Sequence, residues 1–139
     1  MKSLNLTLLI TFLSFLSTSS FAQNNTENDL AGIFQFEEET IDYGTIHQND
    51  NGIRVFKFTN SGNAPIVISK IKTSCGCTVP TYSSEPILPG ESGTIEVKYT
   101  TNRVGKFSKS LTIHSNAQNQ LKRIQIKGNV IKKTTKTIK

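Results

Sequence analysis

Hydrophobic and polar residues alternate along the chain in short runs that are separated by turn-forming residues. The clearest run is TIEVKYT, in which Ile95, Val97 and Tyr99 share one parity and polar residues take the other. Turn clusters recur about every ten residues, as in β-sandwiches, and no window keeps a helical period. The pattern predicts an all-β fold with about seven strands in two antiparallel sheets. The predicted strands are GIFQF, TIDYGTI, IRVFKFT, IVISKIKTSCGCTV, TIEVKYT, SLTIHS and KRIQIKGNVI.

Hydrophobic residues two positions apart predict the core side of these strands, because such residues point to one face of a sheet. Besides the TIEVKYT run, the predicted inward residues are Phe56, Phe58, Leu111, Ile113, Ile124 and Ile126.

The run IVISKIKTSCGCTV changes parity part-way along its length. Ile66 and Ile68 share one face of an ideal strand, whereas Ile71, Thr73 and the two cysteines fall on the other. A single regular strand would send one set to solvent. We therefore expect a bulge or a change of sheet near Ser69 and Lys70, with the cysteines on a second segment that ends at the rim of the sandwich.

The N-terminus has the pattern of a secretory signal peptide. Lys2 precedes an apolar run over residues 4–16, and small residues precede a cleavage site between Ala22 and Gln23. The run is too short to span a bilayer. The expected organisation is a signal peptide at 1–22, a disordered leader at 23–31, one domain at 32–131 and a flexible basic tail at 132–139. The protein is then exported, to the periplasm or beyond the cell.

The basic character of the chain comes largely from its tail, KKTTKTIK. Residues 23–131 carry 11 basic and 10 acidic residues, which suggests an even mixture of charges on the domain. The segment 27–50 has seven acidic residues and no basic one, and we expect it to form a solvated edge. No basic stripe alternates with aromatic residues, so nucleic-acid binding is not predicted.

Both cysteines of the chain lie in one tripeptide, Cys75-Gly76-Cys77. An antibody-type core disulfide is excluded, because that requires distant cysteines and a tryptophan. Gly76 could bend the chain enough for a Cys75–Cys77 disulfide that fixes a turn. The pair could instead be redox-active, with Lys70 and Lys72 lowering a thiol pKa.

Two further roles of the cysteine pair depend on histidines. Two thiolates suit Cu(I) or Zn(II), but His47 and His114 are distant in sequence and match no zinc pattern. A nucleophilic cysteine would need one of these histidines beside it. Neither arrangement has a supporting motif, so no cofactor is predicted beyond a tentative copper or zinc site at Cys75 and Cys77, and no catalytic residue is identified.

The segment FTNSGNAPIVISKIKTSCGCTVP, followed by LPGESGTIEVKYTTNRVGKFSKSLTIHSN, resembles the bacterial domain of unknown function 1573 family over residues 36–130. The family pattern includes Ser74, Cys75, Gly76, Cys77 and Thr78. The resemblance implies an immunoglobulin-like sandwich similar to Hydin-type and PapD-like modules, in small exported proteins of Bacteroidota-type bacteria. It implies no reaction.

Together these observations favour a non-catalytic binding or assembly module of the bacterial cell envelope with a protein or envelope partner. A sheet edge could accept a strand of that partner. The alternatives are a thiol redox or soft-metal protein, and a structural domain whose cysteines only fix a turn.

Overall fold

A computed structural model describes residues 30–134, which form eight strands and no helix. None of these residues therefore belongs to a helix long and apolar enough to cross a membrane. The predicted signal peptide, most of the leader and the end of the tail lie outside the described residues. The strands are β1 (Phe34–Phe36), β2 (Thr40–His47), β3 (Ile53–Asn60), β4 (Ile68–Thr73), β5 (Thr78–Tyr82), β6 (Ser92–Tyr99), β7 (Gly105–Ser115) and β8 (Leu121–Ile131).

The strands form two four-stranded sheets, which confirms the predicted all-β sandwich. The first sheet has the order β1-β3-β6-β5 and the second has the order β2-β8-β7-β4. The prediction was wrong in one respect: β2 pairs with β8 in parallel, so the second sheet is mixed. The structure has eight strands where about seven were predicted, because the IVISKIKTSCGCTV run is divided between β4 and β5.

The core lies between the two sheets and contains the residues that the alternation predicted. Ile95 and Val97 of β6 face Leu111 and Ile113 of β7 across a fully buried interior. Phe56, Phe58, Tyr99, Ile124 and Ile126 are also buried. The predicted strand SLTIHS is too short: β7 begins at Gly105, so Phe107 is a buried strand residue that stacks on Tyr99 with ring centroids 3.9 Å apart.

The parity change in β4 has the predicted cause. The pairing of β4 with β7 shifts register between Ile68 and Lys70. The bulge therefore lies between the two sets of hydrophobic residues and lets both face the core. Ile66 and Ile68 are buried, and Ile71 packs against the core from the other side of the bulge. The change of sheet comes later, at residues 74–77. In the described part of the segment 27–50, Glu37, Glu38, Glu39 and Asp42 are exposed, and β2 is an edge strand.

Three connections meet at the end of the sandwich that carries the cysteines. The Thr100 N–H donates to the Cys77 carbonyl at 2.9 Å, which joins the β6–β7 loop to the cysteine corner. The Thr101 hydroxyl donates to the Asp50 carbonyl at 2.7 Å, which adds the β2–β3 loop. We call residues 74–78 together with 100–103 the disulfide rim.

The opposite end of the sandwich is held by Asn60, whose side chain is fully buried. Its amide donates to the carbonyls of Ala64 and Ile87 at 2.8 and 2.9 Å. Its oxygen accepts from the N–H groups of Ile33 and Gly62 at 3.1 and 3.0 Å. The turn that follows β3 is therefore built around a residue that connects four separate positions of the chain.

Candidate functional site

Cys75 and Cys77 form a disulfide at the corner where the chain leaves one sheet and enters the other. β4 is an edge of the second sheet and β5 is an edge of the first, so the corner closes one side of the sandwich. The Cα atoms are 5.3 Å apart, within the ordinary range for a disulfide. With both residues in the bond, neither is a free thiol in this structure.

Hydrogen bonds hold the corner independently of the disulfide. The Ser74 N–H donates to the Ser110 carbonyl at 3.0 Å, and the Ser110 N–H donates to the Ser74 hydroxyl at 3.1 Å. The Thr73 hydroxyl donates to the Cys75 carbonyl at 2.9 Å. These bonds fix the Cys75 end of the tripeptide to β4 and β7, and the bond from the Thr100 N–H fixes the Cys77 end to the β6–β7 loop. Gly76 lies at the exposed tip, where an added Cβ would meet no atom within 4 Å.

Thr78 is the one member of the SCGCT motif that is buried, with 3% of its surface exposed. Its hydroxyl lies 3.7 Å from the Cys75 Sγ and 4.0 Å from the Cys77 Sγ. A cleft of about 310 Å³ opens beside the disulfide and is lined by the tripeptide, Thr100, Asn102 and Arg103. Thr78 belongs to the family pattern, but its contact with both sulfurs was not predicted. Motif spacing gave no sign of Arg103 in this cleft, because Arg103 comes from a loop distant in sequence.

The histidines do not join the cysteines in a metal-binding group. His47 ends β2 and its Nδ1 lies 3.5 Å from the Asp50 carboxylate, whereas His114 lies in β7 opposite Lys70. Residues 30–134 contain no group of three or more histidine, cysteine and acidic side chains that could hold a metal ion.

A second feature is the outer face of the second sheet, where basic side chains from three neighbouring strands are exposed together. Lys72, Thr112 and Arg123 form one row across β4, β7 and β8. Lys70 and His114 form the row beside it, and Lys127 lies in a third row next to Asp42. We call this surface the basic face; its cationic and titratable side chains are Lys70, Lys72, Lys106, His114, Arg123 and Lys127.

Two acidic side chains lie next to the basic face: Asp42, and Glu39, which lines a small cleft with Arg123 and forms its ion pair with Lys122. Lys127 is 3.5 Å from the Asp42 carboxylate, and this is the only one of its five lysine and arginine side chains with an ion pair inside residues 30–134. Partial burial, together with the charges of Lys70 and Lys72, lowers the pKa of His114. The expected even mixture of charges is therefore wrong for this surface, because strand parity and pairing collect cations from distant parts of the sequence.

The outer face of the first sheet differs in composition. Lys98 of β6 lies between Ile53 and Val79, and Glu96 lies beside Val55 of β3. A larger cleft of about 660 Å³ runs along this sheet and is lined by four glutamates and by Lys57. This cleft contains no cysteine or histidine, and its charge is opposite to that of the basic face.

Residues 34–130 match the family model described as protein of unknown function (DUF1573). The chain belongs to this family. The match spans all but the outermost residues of the sandwich, from the start of β1 to the penultimate residue of β8. The DUF1573 description assigns no activity, substrate or partner. No curated protein matches the chain.

Solved structures similar to this DUF1573 protein have the same sandwich fold. A protein of unknown function from Porphyromonas gingivalis W83 is 17% identical, with a TM-score of 0.62 over 70% of this chain and 46% of that one. The chain therefore spans about half of that protein. The PapD-like domain 7 of human CEP192 is 9% identical, with a TM-score of 0.63 over 86% and 99%.

A third similar structure contains a protein–protein complex. It is the CsuC–CsuE chaperone–tip adhesion subunit pre-assembly complex from Acinetobacter baumannii, at 13% identity and a TM-score of 0.52 over 70% of this chain and 57% of that one. At these identities the comparisons establish the PapD-like and immunoglobulin-like fold alone.

Proposed function

We propose that this protein is an exported, non-catalytic binding module that holds an acidic protein partner on its basic face. The observation that carries this proposal is the set of four cations without ion pairs inside residues 30–134, on three adjacent strands: Lys70 and Lys72 on β4, Lys106 on β7 and Arg123 on β8. Cations that are not neutralised within the domain attract an anionic partner and accelerate its association.

The sheet holds these charges at fixed spacings. Residues two apart on a strand are separated by roughly 6.6–6.8 Å, and strands two apart in a sheet by about 10 Å. The main chains of Lys72 and Arg123 are therefore about 10 Å apart across Thr112. Because the backbone is already ordered, an acidic partner would meet a preformed pattern and little ordering of the main chain would oppose binding.

The composition of the basic face favours a polypeptide partner over other anions. None of the large hydrophobic residues that are exposed within residues 30–134 is aromatic, so the face offers no stacking platform for bases or sugars. Within residues 30–134, the exposed large hydrophobic residues on the outward side of β8 are Leu121 and Ile131, one at each end of the strand, which is little for insertion into a lipid surface. Ser108, Ser110 and Thr112 lie between the cations and could hydrogen-bond to a partner's polar groups.

The fold comparisons add support of a general kind. The CsuC–CsuE structure is a chaperone–subunit complex, so a sandwich of similar fold takes part in protein binding there. Export is supported by the signal-peptide pattern of residues 1–22, and a disulfide is typical of an oxidising compartment.

The experiment measures binding of the domain to fluorescently labelled poly-L-glutamate, with phosphatidylglycerol vesicles, polygalacturonate and duplex DNA as other anions. We expect saturable binding to poly-L-glutamate that weakens as salt rises from about 0.05 M to about 0.3 M, and weaker binding to the other three. Equal binding to all four would contradict a protein-specific face, and no binding to poly-L-glutamate would contradict the proposal altogether.

A further inference from the structure

The buried hydroxyl of Thr78 faces the two sulfurs, although a disulfide gives it little to bond to. Within residues 30–134 its hydrogen-bond partners are the Cys75 and Cys77 Sγ atoms, at 3.7 and 4.0 Å. A sulfur in a disulfide is a weak acceptor, whereas a thiolate accepts a charge-assisted hydrogen bond. The hydroxyl is therefore better matched to the reduced state of the pair than to the oxidised state seen here.

The cleft beside the disulfide contains a positively charged side chain and is open to solvent. Arg103 lines the cleft of about 310 Å³ that both cysteines share, and a nearby guanidinium stabilises a thiolate. The exposed tip at Gly76 leaves space for an incoming thiol, because even an added Cβ there would touch nothing.

The fold does not depend on this disulfide to hold its corner. The bond closes a loop of three residues, so it restricts the unfolded chain very little. The hydrogen bonds from Ser74, Ser110 and Thr100 anchor the tripeptide on both sides without involving sulfur. Reduction can therefore proceed with the sandwich intact.

From these observations we propose that Cys75 and Cys77 form an exchangeable redox pair that oxidises a dithiol in another protein. The proposal uses the disulfide rim, does not rest on the basic face, and adds a redox reaction to the binding role proposed for that face. Cys77 packs against the core, so Cys75 is the sulfur that an incoming thiolate reaches.

The exchange takes place in two steps. A substrate thiolate attacks the Cys75 Sγ, a mixed disulfide forms, the Cys75–Cys77 bond breaks, and Cys77 leaves as a thiolate that takes up a proton. The second substrate thiolate then attacks the substrate sulfur of the mixed disulfide and releases Cys75, which also takes up a proton. The substrate dithiol loses two electrons and two protons to the pair, and a small-molecule disulfide such as oxidised glutathione restores the Cys75–Cys77 bond.

The test follows reduction of the folded protein by glutathione, with alkylation and intact mass at timed intervals, and oxidation of a reduced dithiol peptide by the protein. We expect the rate of reduction of the native protein to be within about threefold of the rate for the protein unfolded in urea. We also expect the native protein to oxidise the peptide stoichiometrically. Thr78→Val should slow reduction at least about fivefold, because the leaving thiolate loses its hydrogen bond. The matched variant is Thr81→Val, on the same strand as Thr78 but exposed and outside the cleft; it should react as the wild type does.

Circular dichroism and thermal melting of each variant establish that it is folded before its rate is compared. A native protein that is reduced at least about a hundredfold more slowly than in urea has a protected structural disulfide, and this result would overturn the proposal. Equal rates for Thr78→Val and the wild type would overturn it as well.

Discussion

Lys70 and His114 lie directly opposite each other on the outer face of the second sheet, immediately after the bulge in β4. Without the register shift between Ile68 and Lys70, Lys70 and Lys72 would share the core-facing side of the strand with Ile68. The bulge thus serves two purposes: it keeps both hydrophobic sets of β4 on the core, and it places two lysines beside a histidine.

The first prediction concerns the pH dependence of stability. The pKa of His114 is lowered by partial burial and by Lys70 and Lys72, so the unfolded chain binds a proton more readily than the folded one. The contribution of His114 to stability is present above its unfolded pKa of about 6.5 and is lost as pH falls below it. His114→Gln should therefore reduce the loss of stability between about pH 7 and pH 5, measured by urea unfolding.

A complementary NMR titration distinguishes the effect of the lysine charges on the pKa of His114 from the effect of burial. Lys70→Gln should raise the pKa of His114, whereas Lys57→Gln on the other sheet should leave it unchanged. If both variants shifted the pKa of His114 equally, the shift would reflect the net charge of the protein and not the neighbouring lysines, which would contradict the prediction.

The second prediction concerns Asn60. Replacing it with alanine leaves two N–H groups and two carbonyls without their buried partner. We expect a loss of about 2–4 kcal/mol in the free energy of unfolding, measured in urea. Asn63→Ala is the matched control, because its bond to the Ala31 N–H is exposed and should contribute less than about 1 kcal/mol. Similar losses for both variants would show that Asn60 does not have the connecting role described.

The third prediction compares two glycines. A Cβ on Gly52 would lie 2.0 Å from the Tyr99 carbonyl oxygen, beside the position where the Tyr43 hydroxyl donates to the Gly52 carbonyl at 2.8 Å. Gly52→Ala should lower the free energy of unfolding by about 2 kcal/mol or more, because the main chain at Tyr99 must move to make room for the added Cβ. Gly76→Ala should change stability by less than about 1 kcal/mol, since its tip is open. Thermal melting compares the two variants, and a lower melting temperature for Gly76→Ala than for Gly52→Ala would contradict the prediction.

Much of the sandwich could be predicted from the sequence because its strands alternate strictly. Ile95, Val97 and Tyr99 identified the buried side of β6, and the parity change after Ile68 identified the bulge. The parallel pairing of β2 with β8 could not be predicted, because it joins strands that are distant in sequence and no local pattern encodes which strands become neighbours.

The candidate sites were only partly predictable for the same reason. The sequence analysis named Lys70 and Lys72 only for their charge near the cysteines, because their alignment with Arg123 depends on the order β8-β7-β4. Similarly, the tripeptide located the disulfide rim, whereas the approach of Arg103 depends on the meeting of two loops.

The most direct test of the basic face compares two double charge reversals that change net charge equally. Lys72→Glu with Arg123→Glu removes one row of the face, and Lys57→Glu with Lys98→Glu alters the outer face of the first sheet. Binding to labelled poly-L-glutamate at about 0.05 M salt is measured for both. We expect at least about a tenfold loss of affinity for the first pair and less than about threefold for the second. Equal losses would mean that net charge alone governs binding, and would contradict a binding site on this face.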